Sequence, residues 1–301
     1  NFVDSDKLSC RFSSSGVPVA ARWISSTKLE CLAPAHAAGA VGVEVTLNNA
    51  DYTSDGVKFE FLGLIVVTAV VPSSGPLMGG TKLAVKGTGF AFSPLMKCQF
   101  GLASVAATFV SSSELACVAP AASAGAVSLT VSNNGVDFSS TSVAYTFAAV
   151  AKVTSVSPKG GFTSGGTAVA VSGTGFVNTT KLACRFGKTA ASAVEFVSSM
   201  QIKCTAPEAV AGATSVAVEV SNNDADFTSN LAQYRYYATA AVSAIVPSSG
   251  PAAGQTVVAV SGFNFVDSDA LFCRFGSSKL VAARWISSSK LECVSPAHAV
   301  G

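Results

Sequence analysis

Charge is scarce in this chain. Only 12% of its 301 residues are Asp, Glu, Lys or Arg, whereas a soluble surface typically carries about 25–35%. The 19 basic and 17 acidic residues leave a net charge of +2 without a basic run, which argues against a nucleic-acid partner. Histidine is nearly absent. The two present, His36 and His298, occupy one equivalent position of a repeat. A serine triad needs a histidine placed beside its nucleophile, and no histidine here is placed in that way. No C-x-x-C pair occurs, which removes the usual zinc spacing. Gly79-Gly80 and Gly165-Gly166 do not stand between a strand and a helix, so they read as turn glycines and not as a phosphate loop. Asp4/Asp6, Asp224/Asp226 and Asp267/Asp269 form D-x-D pairs. Calcium needs six to eight oxygens, and such a pair supplies few. The longest apolar run, Leu62 to Val71, is broken by Gly63 and Thr68 and is too short to span a membrane. No enzyme activity, metal or cofactor is expected.

What the chain does contain is itself, several times over. An apolar residue, Cys and Phe recur at alternate positions as Leu8-Cys10-Phe12, Met96-Cys98-Phe100, Leu182-Cys184-Phe186 and Leu271-Cys273-Phe275. The four cysteines lie 88, 86 and 89 residues apart, and each is followed about 20 residues later by Cys31, Cys117, Cys204 or Cys293. A period this long is a whole domain, so the chain is a string of beads. Each bead must close on its own, which pairs Cys10–Cys31, Cys98–Cys117, Cys184–Cys204 and Cys273–Cys293. Disulfides place the chain outside the cell or on its surface. The competing reading is buried free thiols acting as small apolar groups.

With 49% hydrophobic residues and so little charge, the surface needs a cover. Glycans and neighbouring copies of the chain are the candidates. Ser and Thr supply about a fifth of the residues, in runs such as Ser111-Ser112-Ser113, and Asn178-Thr179-Thr180 is the single N-glycosylation pattern. Any individual serine of these runs reads first as part of a solvated turn.

The second bead illustrates the pattern. Val67–Val71 reads as a strand stopped by Pro72, and Gly79-Gly80 as a tight bend. Leu83, Val85 and Gly87 alternate with Lys82, Ala84 and Lys86, a half-buried strand. Phe109 precedes the second cysteine by eight residues, as Trp23, Phe196 and Trp285 do in the other beads. A ring repeated in this slot is expected to plug the core beside the disulfide. Gly125 follows that cysteine by eight residues, as do Gly39, Gly212 and Gly301. Asn133-Asn134-Gly135 predicts a hairpin turn. Seven or so short strands with turn signals every 8–12 residues give a β-sandwich.

These residues resemble an IPT/TIG domain, the immunoglobulin-like fold shared by plexins and some transcription factors. The resemblance rests on Pro72, Gly75, Gly79-Gly80-Thr81, Gly87, Gly89-Phe90, Cys98-x-Phe100-Gly101, Cys117-x-x-Pro120 and Asn133-Asn134-Gly135. The third bead repeats it with Pro158, Gly161, Gly165-Gly166-Thr167, Gly173, Gly175-Phe176, Cys184-x-Phe186-Gly187 and Cys204-x-x-Pro207. The fourth keeps Pro247, Gly250 and Gly254 but has Gln255 before Thr256 and Asn264 before Phe265. In the first, Asn48-Asn49-Ala50 replaces Asn-Asn-Gly. The resemblance implies an all-β array of four domains over residues 1–62, 64–148, 150–238 and 241–301, the first lacking its amino-terminal part and the last its carboxy-terminal part. For function it implies ectodomain modules, DNA-binding partners or accessory domains of starch-acting enzymes.

The joints are short and apolar, Leu62-Gly63-Leu64-Ile65 especially, and none has the composition of a flexible linker. A stiff rod is expected. Residues 1–39 match 264–301 at about three quarters of positions, a duplication that suits a long filament. The expectation is therefore an extracellular structural protein, forming or coating a glycosylated fibre or surface appendage with other copies of itself. The alternative is a receptor or adhesion ectodomain that binds a protein or carbohydrate. The chain reads as a window on a longer protein, with no membrane span inside it.

Overall fold

The computed structural model describes residues 2–212, 214–230, 232–268, 271–277 and 280–298. Asp269 and Gly301 lie outside them. The chain divides into two compact units, Asn1–Ser74 with Met78–Phe147 and Gly75–Leu77 with Ala148–Gly301. The first unit carries the first two repeats and the second unit the last two. Regular structure among the described residues is all strand, in five sheets.

The second repeat shows the plan. Val66–Val71, Lys82–Thr88 and Glu114–Val118 lie side by side in one layer, and Lys97–Phe100, Gly125–Ser132 and Val143–Ala148 in the other. Strand Ala103–Ser111 belongs to both. Its first half pairs with Lys97–Phe100, its second half with Glu114–Val118, so the sheet bends round the core without a break. In the third repeat the same segment is interrupted. Thr189–Ala190 pairs with Ala183–Phe186, Ala193–Ser198 with Gln201–Thr205, and two separate sheets result.

Period-two alternation builds the core between the layers. Leu83, Val85, Leu115, Leu129 and Val131 are buried in the second repeat, and Val169, Val171, Ile202, Val218 and Val220 in the third. An edge-to-face set of rings closes each core: Phe100 on Tyr145 and Tyr145 on Phe147, then Phe186 on Tyr234 and Tyr234 on Tyr236. Ring pairs of this geometry contribute about 0.5–1.5 kcal/mol beyond area burial.

The motif glycines meet the cysteine loop. Gly80 donates to Ala119 O at 2.9 Å, and Ala119 donates to Thr81 O at 2.9 Å. Gly166 with Ala206 and Gln255 with Ser295 repeat the exchange. Gln255 and Asn264 take φ of 66° and 61°, the left-handed values that Gly80 and Gly89 take in the second repeat. The fourth repeat therefore keeps the turn shape without the glycines. Gly87, Gly173 and Gly262 serve a different end. Any Cβ there would strike the first strand's carbonyl, at Val66, Lys152 or Ala241.

One expectation needs correction. The repeated aromatic is not a fully buried plug, although Phe196 packs against the third core from a half-buried position. Trp23 and Trp285 are 38% and 37% exposed, and Phe109 and Phe196 are half-buried. Each ring sits where the register slips, at Trp23/Ser25, Phe109/Ser111, Phe196/Ser198 and Trp285/Ser287. A bulge bends the strand and increases its local twist, which re-aims the side chain beside it. Each indole N–H also takes a backbone acceptor, Trp23 from Phe2 O at 3.3 Å and Trp285 from Phe265 O at 3.2 Å.

Asn133-Asn134-Gly135 opens the hairpin that joins the antiparallel strands Gly125–Ser132 and Val143–Ala148, and the loop runs over residues 133–142. Asn134 Oδ1 accepts from the backbone of Val136 and Asp137, and its amide donates to Asp137 at 2.7 Å. Asn48 and Asn223 make the same clasp with Asp51 and Asp226. The geometric match to Asn134-Gly135 is thus Asn48-Asn49, one residue away from the match suggested by spelling. Asn49, Gly135 and Asp224 all have positive φ.

Candidate functional site

The expected site residues are distributed one set per domain. Cys10–Cys31, Cys98–Cys117, Cys184–Cys204 and Cys273–Cys293 are joined, with Cα atoms 6.2 to 6.5 Å apart. In the second repeat the bridge ties strand Lys97–Phe100 of one layer to Glu114–Val118 of the other. Cys98 and Cys117 are buried. Each pair is a staple across the core.

Among the described residues six ion pairs join neighbouring strands. Arg11 meets Glu44 at 2.6 Å and Arg185 meets Glu219 at 2.6 Å, both directly opposite in register. Arg11 also lies 3.9 Å over the Tyr52 ring and Arg185 4.0 Å over Phe227. Arg22–Glu30, Lys86–Glu114, Lys203–Glu195 and Arg284–Glu292 are pairs of the same cross-strand kind. Apolar side chains also face outward. Val110, Val197 and Ile286 follow the repeated aromatic and are exposed, and Leu32, Val118 and Val294 follow the second cysteine and are exposed.

Asn178 is exposed in the loop after strand Ala168–Thr174, and Thr180 of its acceptor pattern is exposed too. Thr179 is exposed as well and donates to Asn222 O at 2.8 Å. The serine runs are turns: Ser111 Oγ accepts from Ser113 N and Ser287 Oγ from Ser289 N, each at 3.2 Å. Among the described residues no three His, Cys, Asp or Glu side chains gather as a metal group, and no helix is long and apolar enough to cross a membrane. Asp4, Asp6 and Asp267 are exposed. His36 stacks on Phe61 with centroids 4.8 Å apart. The fourth repeat carries a cleft of about 450 Å³ whose lining includes Thr256, Val258, Phe275 and His298.

Two tyrosines of the third core are shifted. Burial raises Tyr236 from 10.0 to about 12, with Tyr234 adding to the effect. Burial also raises Tyr234, against a lowering hydrogen bond from Thr167 and with a smaller raising effect of Tyr237.

The IPT/TIG domain model matches four stretches, residues 1–61, 66–147, 151–236 and 240–301. The chain belongs to the IPT/TIG domain family. No curated protein matches it. Among solved structures, this IPT/TIG array is similar to the plexin A4 full extracellular region at 16% identity and a TM-score of 0.41, covering 98% of this chain and 32% of that one. It is similar to SGBP-B of the Bacteroides ovatus mixed-linkage glucan utilization locus, solved with a heptasaccharide, at 13% identity and a TM-score of 0.27, covering 78% of this chain and 60% of that one. It is also similar to invasin, a bacterial integrin-binding protein, at 12% identity and a TM-score of 0.27, covering 97% of this chain and 66% of that one. The IPT/TIG array thus spans about a third of the plexin A4 chain.

The signal that sequence reading missed is the Arg-over-aromatic clamp. Cys-Arg-Phe occurs at Cys10-Arg11-Phe12, Cys184-Arg185-Phe186 and Cys273-Arg274-Phe275. At Arg11 and Arg185 the arginine between Cys and Phe marks a fixed cross-strand partner.

Proposed function

We propose that the chain is an extracellular structural protein, a stiff array of disulfide-stapled IPT/TIG domains that forms or coats a glycosylated fibre or surface appendage. The observation that carries this reading is the repeated apolar exterior. Val110, Val197 and Ile286 form one exposed set and Leu32, Val118 and Val294 another. Because the domains repeat, such positions recur along the array, and a recurring apolar patch is covered best by a recurring partner. Other copies of the chain supply one. Covalent glycans supply the other cover, with exposed Asn178 as the N-linked candidate. The four disulfides support a secreted or surface setting. In this reading the chain has no catalytic role, no cofactor and no nucleic-acid partner.

The test is electron microscopy of native, untagged material at near-physiological salt. Filaments of regular width, with density beyond the protein beads, are expected. Monodisperse, unglycosylated short particles would remove the reading and leave a ligand-binding ectodomain in its place.

A further inference from the structure

The strand that carries the repeated aromatic finishes as a sheet edge. Ala21 and Ala283 donate outward, to Leu8 O and Leu271 O at 3.0 Å. Beyond them the strands Val19–Ser25 and Val281–Ser287 pair only inward, with Lys28–Cys31 and Lys290–Val294, among the described residues. In the third domain Thr189–Ala190 is a separate strand, so Ala193–Ser198 is an edge over its whole length. The second domain has the same edge: Ala107 donates to Met96 O at 3.0 Å, and residues 108–111 pair only with Glu114–Val118 among the described residues. The edge is thus a property of the repeat itself.

The residue before the ring differs between domains. It is Arg22 in the first, Thr108 in the second, Glu195 in the third and Arg284 in the fourth. Each charge faces an opposite one on its inner neighbour in direct register: Arg22 with Glu30 at 3.1 Å, Glu195 with Lys203 at 3.4 Å and Arg284 with Glu292 at 2.9 Å. The edge charges nevertheless stay open to a second partner, with Arg22, Glu195 and Arg284 side chains 73%, 65% and 72% exposed. The two basic edges share one sequence, Val-Ala-Ala-Arg-Trp-Ile-Ser. Across an antiparallel pair, like charges directly opposite destabilise and unlike charges stabilise. A basic edge therefore rejects another basic edge, and Glu195 rejects its own copy. The favoured match is basic against acidic.

We propose that the acidic edge Ala193–Ser198 of one copy pairs antiparallel with a basic edge, Val281–Ser287 or Val19–Ser25, of a second copy. This deepens the fibre reading above and rests on it for its setting. With Arg284 opposite Glu195, charge alternates across four strands through Glu292, Arg284, Glu195 and Lys203. The same register sets Trp285 opposite Val194 and Ala283 opposite Phe196, a large side chain against a smaller one each time. Val194, Phe196 and Ala283 pack towards their own cores, so the rings meet on the inner face and the charges on the outer. The backbone agrees. Val194 lies opposite Cys204 as Ala283 lies opposite Cys293, so Val194, Phe196, Ala283 and Trp285 all turn their main-chain groups outward. The Ala283 N–H is taken by Leu271, and its carbonyl alone takes part. Register slips at Phe196/Ser198 and Trp285/Ser287 end the contact on both strands. A bulged, charged edge resists indiscriminate pairing, and the charges here admit one partner.

The test uses the full chain. Hydrogen exchange at rising protein concentration is expected to show new protection at Val194, Phe196, Trp23 and Trp285. In sedimentation velocity, Glu195→Arg and the double variant Arg22→Glu with Arg284→Glu are each expected to self-associate about tenfold more weakly. An equimolar mixture of the two variants is expected to regain the association, because each supplies the charge the other now needs. A mixture no better than either variant alone overturns the pairing. So does protection that ignores concentration, and this measurement on the unaltered chain decides even where a variant fails to fold. Chains that stay monomeric at every concentration overturn the pairing and leave these edges to a partner of another kind. The two readings fail separately. Filaments undiminished in both variants overturn the pairing and leave the fibre. Concentration-dependent protection at the four residues, in material that never forms filaments, supports the pairing and removes the fibre.

Discussion

A Cβ on Gly79 would fall 2.5 Å from the carbonyl carbon of Pro120 and 2.6 Å from its oxygen. Gly79 also has φ of 72°. Its neighbour Gly80 has φ of 87° but open space beside it, and the fourth domain places Gln255 there. The two glycines of one motif therefore differ in what they require. Gly79→Ala combines left-handed strain with a clash against backbone and is expected to destabilise the second domain by about 2–4 kcal/mol. Gly80→Gln carries only the strain and costs about 1 kcal/mol. Urea unfolding of both variants checks this, and equal effects would refute it.

Alkylation separates the two readings of the cysteines. The denatured, unreduced chain is expected to label none of its eight cysteines, because all four pairs are joined. Replacing Cys98 and Cys117 together by Ala should lower stability by about 3 kcal/mol, since the bridge closes a loop with a sequence separation of 19. Full labelling of the unreduced chain would instead make the cysteines apolar filler.

The repeat, the strand pattern and the cysteine partners were legible because alternation and equal spacing are properties of the chain itself. Cys98 and Phe100 face inward as their period-two positions require. The Trp23 slot was not legible. A repeated ring signals a repeated environment, and only the register slip after it determines that the environment is an edge. Asn134-Gly135 marked the hairpin, but the length of its loop was not legible, because it depends on the side-chain clasp of Asn134 on Asp137.

The Arg185–Glu219 pair is expected to contribute measurably although it is not fully buried. Arg185 and Glu219 side chains are 36% and 14% exposed, the strands fix their register, and Phe227 holds the guanidinium. A double-mutant cycle with Arg185→Met and Glu219→Gln should give a coupling of about 1 kcal/mol. Because the pair is partly exposed, the coupling should shrink in 1 M salt, where the Debye length is about 3 Å. A coupling of zero at low salt would mean that packing on Phe227 alone fixes the arginine.

Alkaline pH should loosen the third domain through Tyr236. Burial, with Tyr234 beside it, raises its hydroxyl from 10.0 to about 12, so the fold favours the neutral phenol. That contribution is complete below pH 10 and is lost as pH rises towards 12, because the unfolded chain releases the proton first. Tyr236 also donates to Pro207 O at 3.0 Å, and ionisation removes the donor. Tyr236→Phe should cost about 1 kcal/mol at neutral pH by leaving that carbonyl without its partner. It should also make the decline between pH 10 and 12 shallower, the remainder belonging to Tyr234, which burial shifts the same way. Tyrosinate absorbance followed alongside unfolding checks both. A decline of unchanged steepness in Tyr236→Phe would place the alkaline sensitivity elsewhere in the chain.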